Sequence, residues 1–99
     1  MIFVIKDPKN NIRNLTRKIG YYFLKEEKGE LSFVRPLERA GFPRFHLYIK
    51  ESNEDLIFNL HIDSKKPIYK GTPAHSGEYE GKVVEAEAER IKQVLRQNA

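Results

Sequence analysis

Alternation between apolar and polar residues is strongest in the middle of the chain, in two segments that a short polar stretch separates. The apolar positions are Phe45, Leu47 and Ile49 in the first segment and Leu56, Phe58, Leu60 and Ile62 in the second. A period of two predicts strands with one buried and one mostly polar face. The intervening letters SNED are typical of a turn. We therefore predict a central hairpin with strands at 44–51 and 56–63.

The register of this hairpin follows from the requirement that the apolar faces of both strands coincide. A four-residue loop over Ser52–Asp55 meets that requirement. It places Ile49 opposite Phe58, His46 opposite His61, and Arg44 opposite Asp63. A slip of the pairing by two residues also keeps the apolar faces together and remains open.

The N-terminal half predicts one helix between two strands. The letters MIFVI form a short strand candidate that stops at Asp7-Pro8. Helical spacing then runs from Asn10 or Asn11 to about Leu24, although Gly20 weakens it and Tyr21 to Leu24 is an alternative strand start. Leu31 to Leu37 predicts another strand, and Pro36 places its end at a sheet edge.

The C-terminal part predicts a long loop followed by a helix. Prolines, glycines and small polar residues fill 64–81, with a brief strand candidate at Pro67–Lys70. Helical spacing from about Glu80 to Gln97 follows, with acidic residues early and basic residues late, which complements the helix dipole. The fold class is α+β: an antiparallel sheet of three to five strands packed against an N-terminal and a C-terminal helix.

Length and composition limit the classes of protein that the chain can belong to. Its 99 residues predict a single domain, 1–99. The absence of cysteine excludes disulfides, thiolate metal sites and cysteine catalysis. No apolar run is long enough for a membrane span, so we expect a soluble cytoplasmic protein without a membrane partner. The net charge is +4, with +6 in residues 1–50 and −2 in residues 51–99.

Histidines and an aspartate share the polar face of the predicted hairpin. His46 and His61 lie opposite each other, and Asp63 is two residues beyond His61. Two imidazoles and a carboxylate are a known ligand set for zinc or iron, and His75 offers a third nitrogen. The alternative is that all three histidines are ordinary surface residues, since no tight motif such as HExxH is present.

Basic and aromatic side chains share that face and the loop beyond it. The candidate binding residues are Arg44, Tyr48, Lys50, Lys65, Lys66 and Lys70. Such a set can hold phosphates and stack on a base. The alternative is a solvated sheet face that is lined, as many are, by lysine, arginine and tyrosine.

Two further patterns give weaker indications of function. The segment Gly71–Gly81 precedes the last helix, whose free backbone amides can bind an anion, but it has neither a P-loop ending nor a nucleophile-elbow frame. The glutamates of the last helix, including Glu85 and Glu89, predict a solvated face.

Residues 45–84 also resemble part of the 3′-phosphoesterase domain of bacterial DNA ligase D. The letters FHLYI and LIFNLHID stand at its two strands, and YKGTPAHSGEYEG is similar to its glycine loop, best at Gly77-Glu78-Tyr79. The resemblance implies a compact antiparallel β structure. The catalytic positions of that family fall on Ile57, Asn59 and His61, so its metal-dependent activity is not implied in this frame.

A second frame of the same resemblance gives His61 and Asp63 the family roles but spoils the spacing of the glycine loop. In the first frame a further family histidine falls on Lys66. The leading functional prediction is therefore a non-catalytic domain that binds a phosphate-bearing or acidic partner, such as nucleic acid or an acidic protein, through its basic, histidine-containing sheet face. The alternatives are a metal-dependent phosphoesterase, which requires a divalent metal, and a protein-interaction module that accepts a partner strand at the hairpin edge or at Leu31–Leu37.

Overall fold

The computed structural model describes residues 1–64 and 76–96, with the side chains of the last helix from Gly81 onward. Its elements are β1 (Ile2–Ile5), α1 (Ile12–Ile19), β2 (Tyr22–Glu27), β3 (Glu30–Pro36), β4 (Arg44–Ser52), β5 (Asp55–Asp63) and α2 (Ser76–Arg96). The five strands form one antiparallel sheet in the order β1-β5-β4-β3-β2. The predicted α+β architecture, with an N-terminal and a C-terminal helix, is confirmed.

The central hairpin has the register that the alternation predicted. Ile49 pairs with Phe58, His46 with His61, and Arg44 with Asp63. Pairing continues through Ser52 and Asp55, so the loop is a two-residue turn in which Asn53 adopts a positive φ of 59°. Asparagine tolerates that left-handed conformation better than most residues.

Helix α1 begins and ends with defined caps. The side chain of Asn11 accepts a hydrogen bond from the backbone of Asn14, and Gly20 closes the helix at a φ of 85°. The predicted helix to Leu24 was therefore wrong at its end. The left-handed Gly20 ends the helix at Ile19. Tyr22 already belongs to β2, in agreement with the alternative prediction of a strand start at Tyr21 to Leu24.

Strand β3 lies between β2 and β4, but its end at Pro36 lies at an open side of the sheet, as predicted. Pro36 is tolerated there because the pairing with β2 stops at Val34, so one side of Pro36 has no neighbouring strand. Helix α2 begins at Ser76, so residues 76–81 are helical rather than part of a loop. The predicted strand at Pro67–Lys70 lies outside the described residues.

Both helices pack on the same face of the sheet and form the core with it. The buried apolar residues of the strands and of the segment after α1 are Phe3, Tyr21, Phe33, Phe45, Leu47, Ile49, Leu56, Phe58 and Leu60. Those of the helices are Leu15, Ile19, Val84, Ala88, Ile91 and Leu95. Burial of these side chains is the main term that holds the fold together.

In the part of the chain that the structure describes, neither helix has both the length and the apolar content needed to cross a membrane.

Candidate functional site

The candidate site lies on the sheet face opposite the two helices, which we call the open face. Antiparallel pairing places one residue of each strand in a row across this face. One row contains His61, His46, Val34 and Tyr22, and the next contains Ile2, Asn59, Tyr48, Ser32 and Lys25. The predicted site residues of the hairpin are therefore all brought to the same face.

Three aromatic rings form a cluster at the centre of the open face. The ring of Tyr48 stacks on that of His46, with centroids 4.3 Å apart and planes 21° apart. His61 meets Tyr48 edge to face at 5.7 Å. We call His46, Tyr48 and His61 the ring cluster. His61 is exposed and Tyr48 is half-buried, so two of the three rings reach solvent.

Asp63 holds two of its neighbours by hydrogen bonds. Its Oδ2 lies 2.8 Å from His46 Nδ1 and accepts a hydrogen bond from Arg44 Nε at 3.2 Å. The guanidinium of Arg44 also lies 4.5 Å from the centroid of the Phe42 ring. Arg44 was predicted as a phosphate-binding residue, but its charge is already paired with Asp63. Its main role in the structure is therefore to position Asp63 and, through it, His46.

His46 is more buried than its place in the polar pattern predicted. It is only 7% exposed. An aspartate that pairs with arginine is ionised and accepts only, so His46 Nδ1 carries the proton that it donates to Asp63. His46 Nε2 is buried without a hydrogen-bond partner among the described residues.

The metal-site prediction gains no complete ligand set from the described residues. Within 1–64 and 76–96, no group of three or more histidines and carboxylates is placed to hold a metal ion. His75, the third predicted nitrogen, lies outside the described residues. The set of His46, His61, Asp63 and His75 therefore stays a prediction, with Asp63 in the structure orienting His46 through Nδ1.

The basic residues of the candidate site are only partly described. Lys50 is exposed on the open face beside Tyr48. Lys25 lies on the same face and forms an exposed ion pair with Glu27 at 2.9 Å, which raises the pKa of Lys25. Lys65, Lys66 and Lys70 follow β5 in the sequence and lie outside the described residues. Lys50 is thus the predicted cation that the structure places beside the ring cluster.

The structure also bears on two other predictions, the anion-binding loop and the edge that accepts a partner strand. Residues 76–81 of the predicted anion-binding loop belong to α2, and Gly71 to His75 lie outside the described residues. Strands β3, β4 and β5 each have a neighbouring strand on both sides over part of their length, so the predicted strand-accepting role of the hairpin edge or Leu31–Leu37 stays a prediction. The sheet edges are β1 and β2.

A buried ionic cluster on the helix side was missed by the sequence reasoning. Glu87 of α2 is 4% exposed, although the glutamates of this helix were predicted to be solvated. It accepts hydrogen bonds from the Tyr21 hydroxyl at 2.6 Å, from Arg90 at 2.8 and 2.9 Å, and from Arg35 at 3.3 Å. Arg90 also donates to the carbonyl of Ile19 at 2.6 Å. The cluster ties α2 to β3 and to the end of α1.

Two members of this cluster, Tyr21 and Arg90, have raised pKa values. The pKa of Tyr21 lies far above its ordinary value, mainly because the side chain is buried and next because its hydroxyl donates a hydrogen bond to Glu87. The hydrogen bond to Glu87 also raises the pKa of Arg90. The satisfied hydrogen bonds and the burial of its carboxylate indicate a structural role for Glu87.

A sequence signal for the buried cluster did exist. Glu87 lies three residues after Val84 and four before Ile91, so it occupies the apolar stripe of α2. Arg35 continues the alternation of Leu31 and Phe33 on the buried face of β3. One acid and one base at positions that the periodicity assigns to the core predict a buried pair.

Comparison of the chain with protein-family models, with curated protein sequences and with solved structures finds no match. The resemblance of residues 45–84 to the 3′-phosphoesterase domain of DNA ligase D therefore stays a prediction.

Proposed function

We propose that this protein binds single-stranded nucleic acid on the open face of its sheet, as a binding domain without catalysis of its own. The observation that supports this most directly is the ring cluster of His46, Tyr48 and His61 with Lys50 beside it. Every base has a flat π-face, so exposed rings on a sheet bind unpaired bases with little sequence preference. A lysine next to such rings can neutralise the phosphate that follows the base.

The fixed orientation of the cluster adds to this argument. Asp63 holds His46 through Nδ1, and Arg44 holds Asp63, so the ring on which Tyr48 stacks cannot rotate freely. A ring that is already ordered loses little conformational entropy when a base stacks on it. The predicted basic residues Lys65, Lys66 and Lys70 follow β5 in the sequence and add three positive charges to this part of the chain.

A single strand is favoured over a duplex because the bases of a duplex are already stacked and their faces are not accessible. We therefore expect labelled single-stranded oligonucleotides to bind more tightly than duplexes of the same sequence in fluorescence anisotropy titrations. Binding should weaken as salt rises. An absence of binding at low salt, or a preference for the duplex, would overturn the proposal. Tight binding of an acidic peptide in place of both nucleic acids would show that the partner is an acidic protein.

Matched variants separate stacking from charge. Tyr48→Ala should weaken single-strand binding by about fivefold or more, whereas Tyr48→Phe, which keeps the ring, should bind like the native protein. Lys50→Ala should weaken binding and reduce its salt dependence by about one ion. Lys18→Ala removes an exposed lysine of α1, on the far side of the sheet, and serves as its control. Equal binding by Tyr48→Ala and the native protein would contradict the role of the ring cluster.

A metal-dependent phosphoesterase is the second candidate, and the geometry of His46 favours it. His46 bonds a carboxylate through Nδ1 and has no partner at Nε2 among the described residues, which is the arrangement usual for zinc-bound histidines. A bound metal would lower the pKa of a water molecule and supply the nucleophile. Elemental analysis of the purified protein and phosphatase assays with added Mn²⁺ or Zn²⁺ test it. A metal-free protein that stays inert after addition removes this candidate.

A further inference from the structure

The edge strand β2 has apolar residues that are exposed to water in the monomer. All six residues of the strand are exposed, and the consecutive Tyr22, Phe23 and Leu24 are 69%, 61% and 40% exposed. Edge strands offer unpaired backbone groups, and natural proteins usually protect them with charges or cover them. Here the first half of the strand is apolar instead.

An apolar groove runs along this edge on the helix side of the sheet. Its floor contains Leu31 and Phe33 of β3 and Phe23 of β2, whose ring packs edge to face on Phe33 at 5.7 Å. Its wall is α1, which contributes Ile12, Arg13, Thr16 and Arg17. The groove is therefore apolar at its base and basic along one rim.

The β2 edge combines a basic rim on α1 with acidic residues in the second half of β2. A two-fold axis between two copies would bring the acidic part of one copy to the basic rim of the other. Helix α1 contains Arg13, Arg17 and Lys18 and no acidic residue, and neither arginine pairs with a described acid. The second half of β2 carries Glu26 and Glu27. Glu26 pairs with Leu31, so it lies on the same side of the sheet as Phe23 and the groove. An antiparallel copy of β2 would bring its acidic half to the basic rim.

We propose that the protein forms a symmetric homodimer through its β2 edges, in which Glu26 of each copy approaches Arg17 of the other. The two-fold axis is perpendicular to the sheet, so both apolar halves are covered and both grooves gain a carboxylate. The two five-stranded sheets become continuous, and the open faces of both copies lie on the same side. This proposal is independent of nucleic-acid binding.

A bulge limits how much of the interface is backbone pairing. The register of β2 against β3 shifts between Phe23 and Lys25, so Leu24 is an extra residue in the strand. Bulges twist an edge and interrupt its line of hydrogen bonds. The side chains of Phe23, Glu26 and Arg17 must therefore supply much of the specificity, which makes the interface sensitive to single substitutions.

Sedimentation equilibrium of the full chain tests the dimer directly. The mass should rise with concentration from 11.6 kDa to twice that value. Phe23→Glu should keep the mass at that of the monomer, with a native far-UV circular dichroism spectrum because Phe23 is exposed. Val4→Glu, which alters an exposed apolar residue of the opposite edge strand, should leave the dimer intact. A monomer at every concentration, or a dimer that survives Phe23→Glu but not Val4→Glu, overturns the proposal.

Exchanging the charges of Arg17 and Glu26 tests the predicted contact and does not require a variant that unfolds. Arg17→Glu and Glu26→Arg should each raise the dimer dissociation constant by about tenfold or more, because each places like charges together. An equimolar mixture of the two variants should form a heterodimer about as tight as the native dimer, since the arginine introduced in one variant then faces the glutamate introduced in the other. If the mixture dissociates as readily as the single variants, Arg17 and Glu26 do not meet and the proposed interface is wrong.

Discussion

The two faces of strand β5 differ sharply although their residues alternate along one short segment. Toward the helices, Leu56, Phe58 and Leu60 are at most 5% exposed. Toward the open face, Asn59 is half-buried and His61 is exposed. The first set supplies the burial that stabilises the fold, and the second supplies rings and polar groups without contributing much to the core. The difference indicates that stability and binding can be altered separately in this protein.

The largest contrast between the faces should come from two neighbouring residues. Phe58→Ala removes a fully buried ring that packs against Phe3 at 5.4 Å, so we expect it to lower the free energy of unfolding by about 4 kcal/mol. Ile57→Ala, on the open face, should cost about 1 kcal/mol. Urea unfolding followed by circular dichroism measures both. Equal losses would show that the open face is packed as tightly as the core.

Glu87→Gln should give the next largest effect. It removes the charge that holds Arg35, Arg90 and the Tyr21 hydroxyl, and we expect a loss of about 3 kcal/mol. The value lies toward the lower end for buried pairs because both arginine side chains keep 35% exposure and can be hydrated. The control Glu85→Gln, exposed on the same helix, should change stability by less than about 0.5 kcal/mol. Similar values for the two variants would refute a structural role for Glu87.

Alkaline pH should weaken the helix side selectively through Tyr21. Because its pKa is raised in the folded state, the unfolded chain releases this proton first as pH passes the ordinary tyrosine value. Its stabilising contribution is complete below about pH 10 and declines above it by about 1.4 kcal/mol per pH unit. Urea unfolding at several alkaline pH values measures this slope. Tyr21→Phe should show a shallower slope, and an unchanged slope would mean that Tyr21 ionises as readily in the native state.

Asp63→Asn should have the smallest effect on stability and a specific effect on the open face. The variant weakens the contacts to Arg44 and His46, and the side chains of Asp63 and Arg44 are partly accessible to water, so we expect a loss of about 1 kcal/mol. It should nevertheless reduce single-strand binding, because His46 is no longer held under Tyr48. Glu51→Gln, at an exposed position of β4, is the control for both measurements. Unaltered binding by Asp63→Asn would separate Asp63 from the ring cluster.

The hairpin could be predicted from the sequence because its signal is local. The alternation around Leu47 and Phe58 predicts which face of each strand is buried and limits the register to pairings that differ by two residues, and the structure confirms the pairing of His46 with His61. The end of α1 was missed because apolar spacing continues past Gly20, while the left-handed glycine ends the helix. Backbone conformation overrode the periodicity there.

The parts that could not be predicted depend on contacts between distant segments. Asp63 meets both Arg44 and His46, so its role as an orienting group follows from side-chain directions that alternation does not specify. The exposure of β2 follows from strand order, because the short segment Tyr22–Glu27 gives no indication that it lies at the edge. The charge relation between Arg17 and Glu26 emerges only once α1 and β2 are placed side by side.

The proposed use of the open face is tested most directly by NMR of the aromatic and histidine ring signals during titration with a single-stranded oligonucleotide. We predict that the signals of Tyr48 and His61 shift, while those of Phe33 and Phe58 in the core and the side-chain signals of Arg13 and Lys18 on α1 stay in place. Shifts confined to the basic helix α1, with the ring cluster unaffected, would contradict the account.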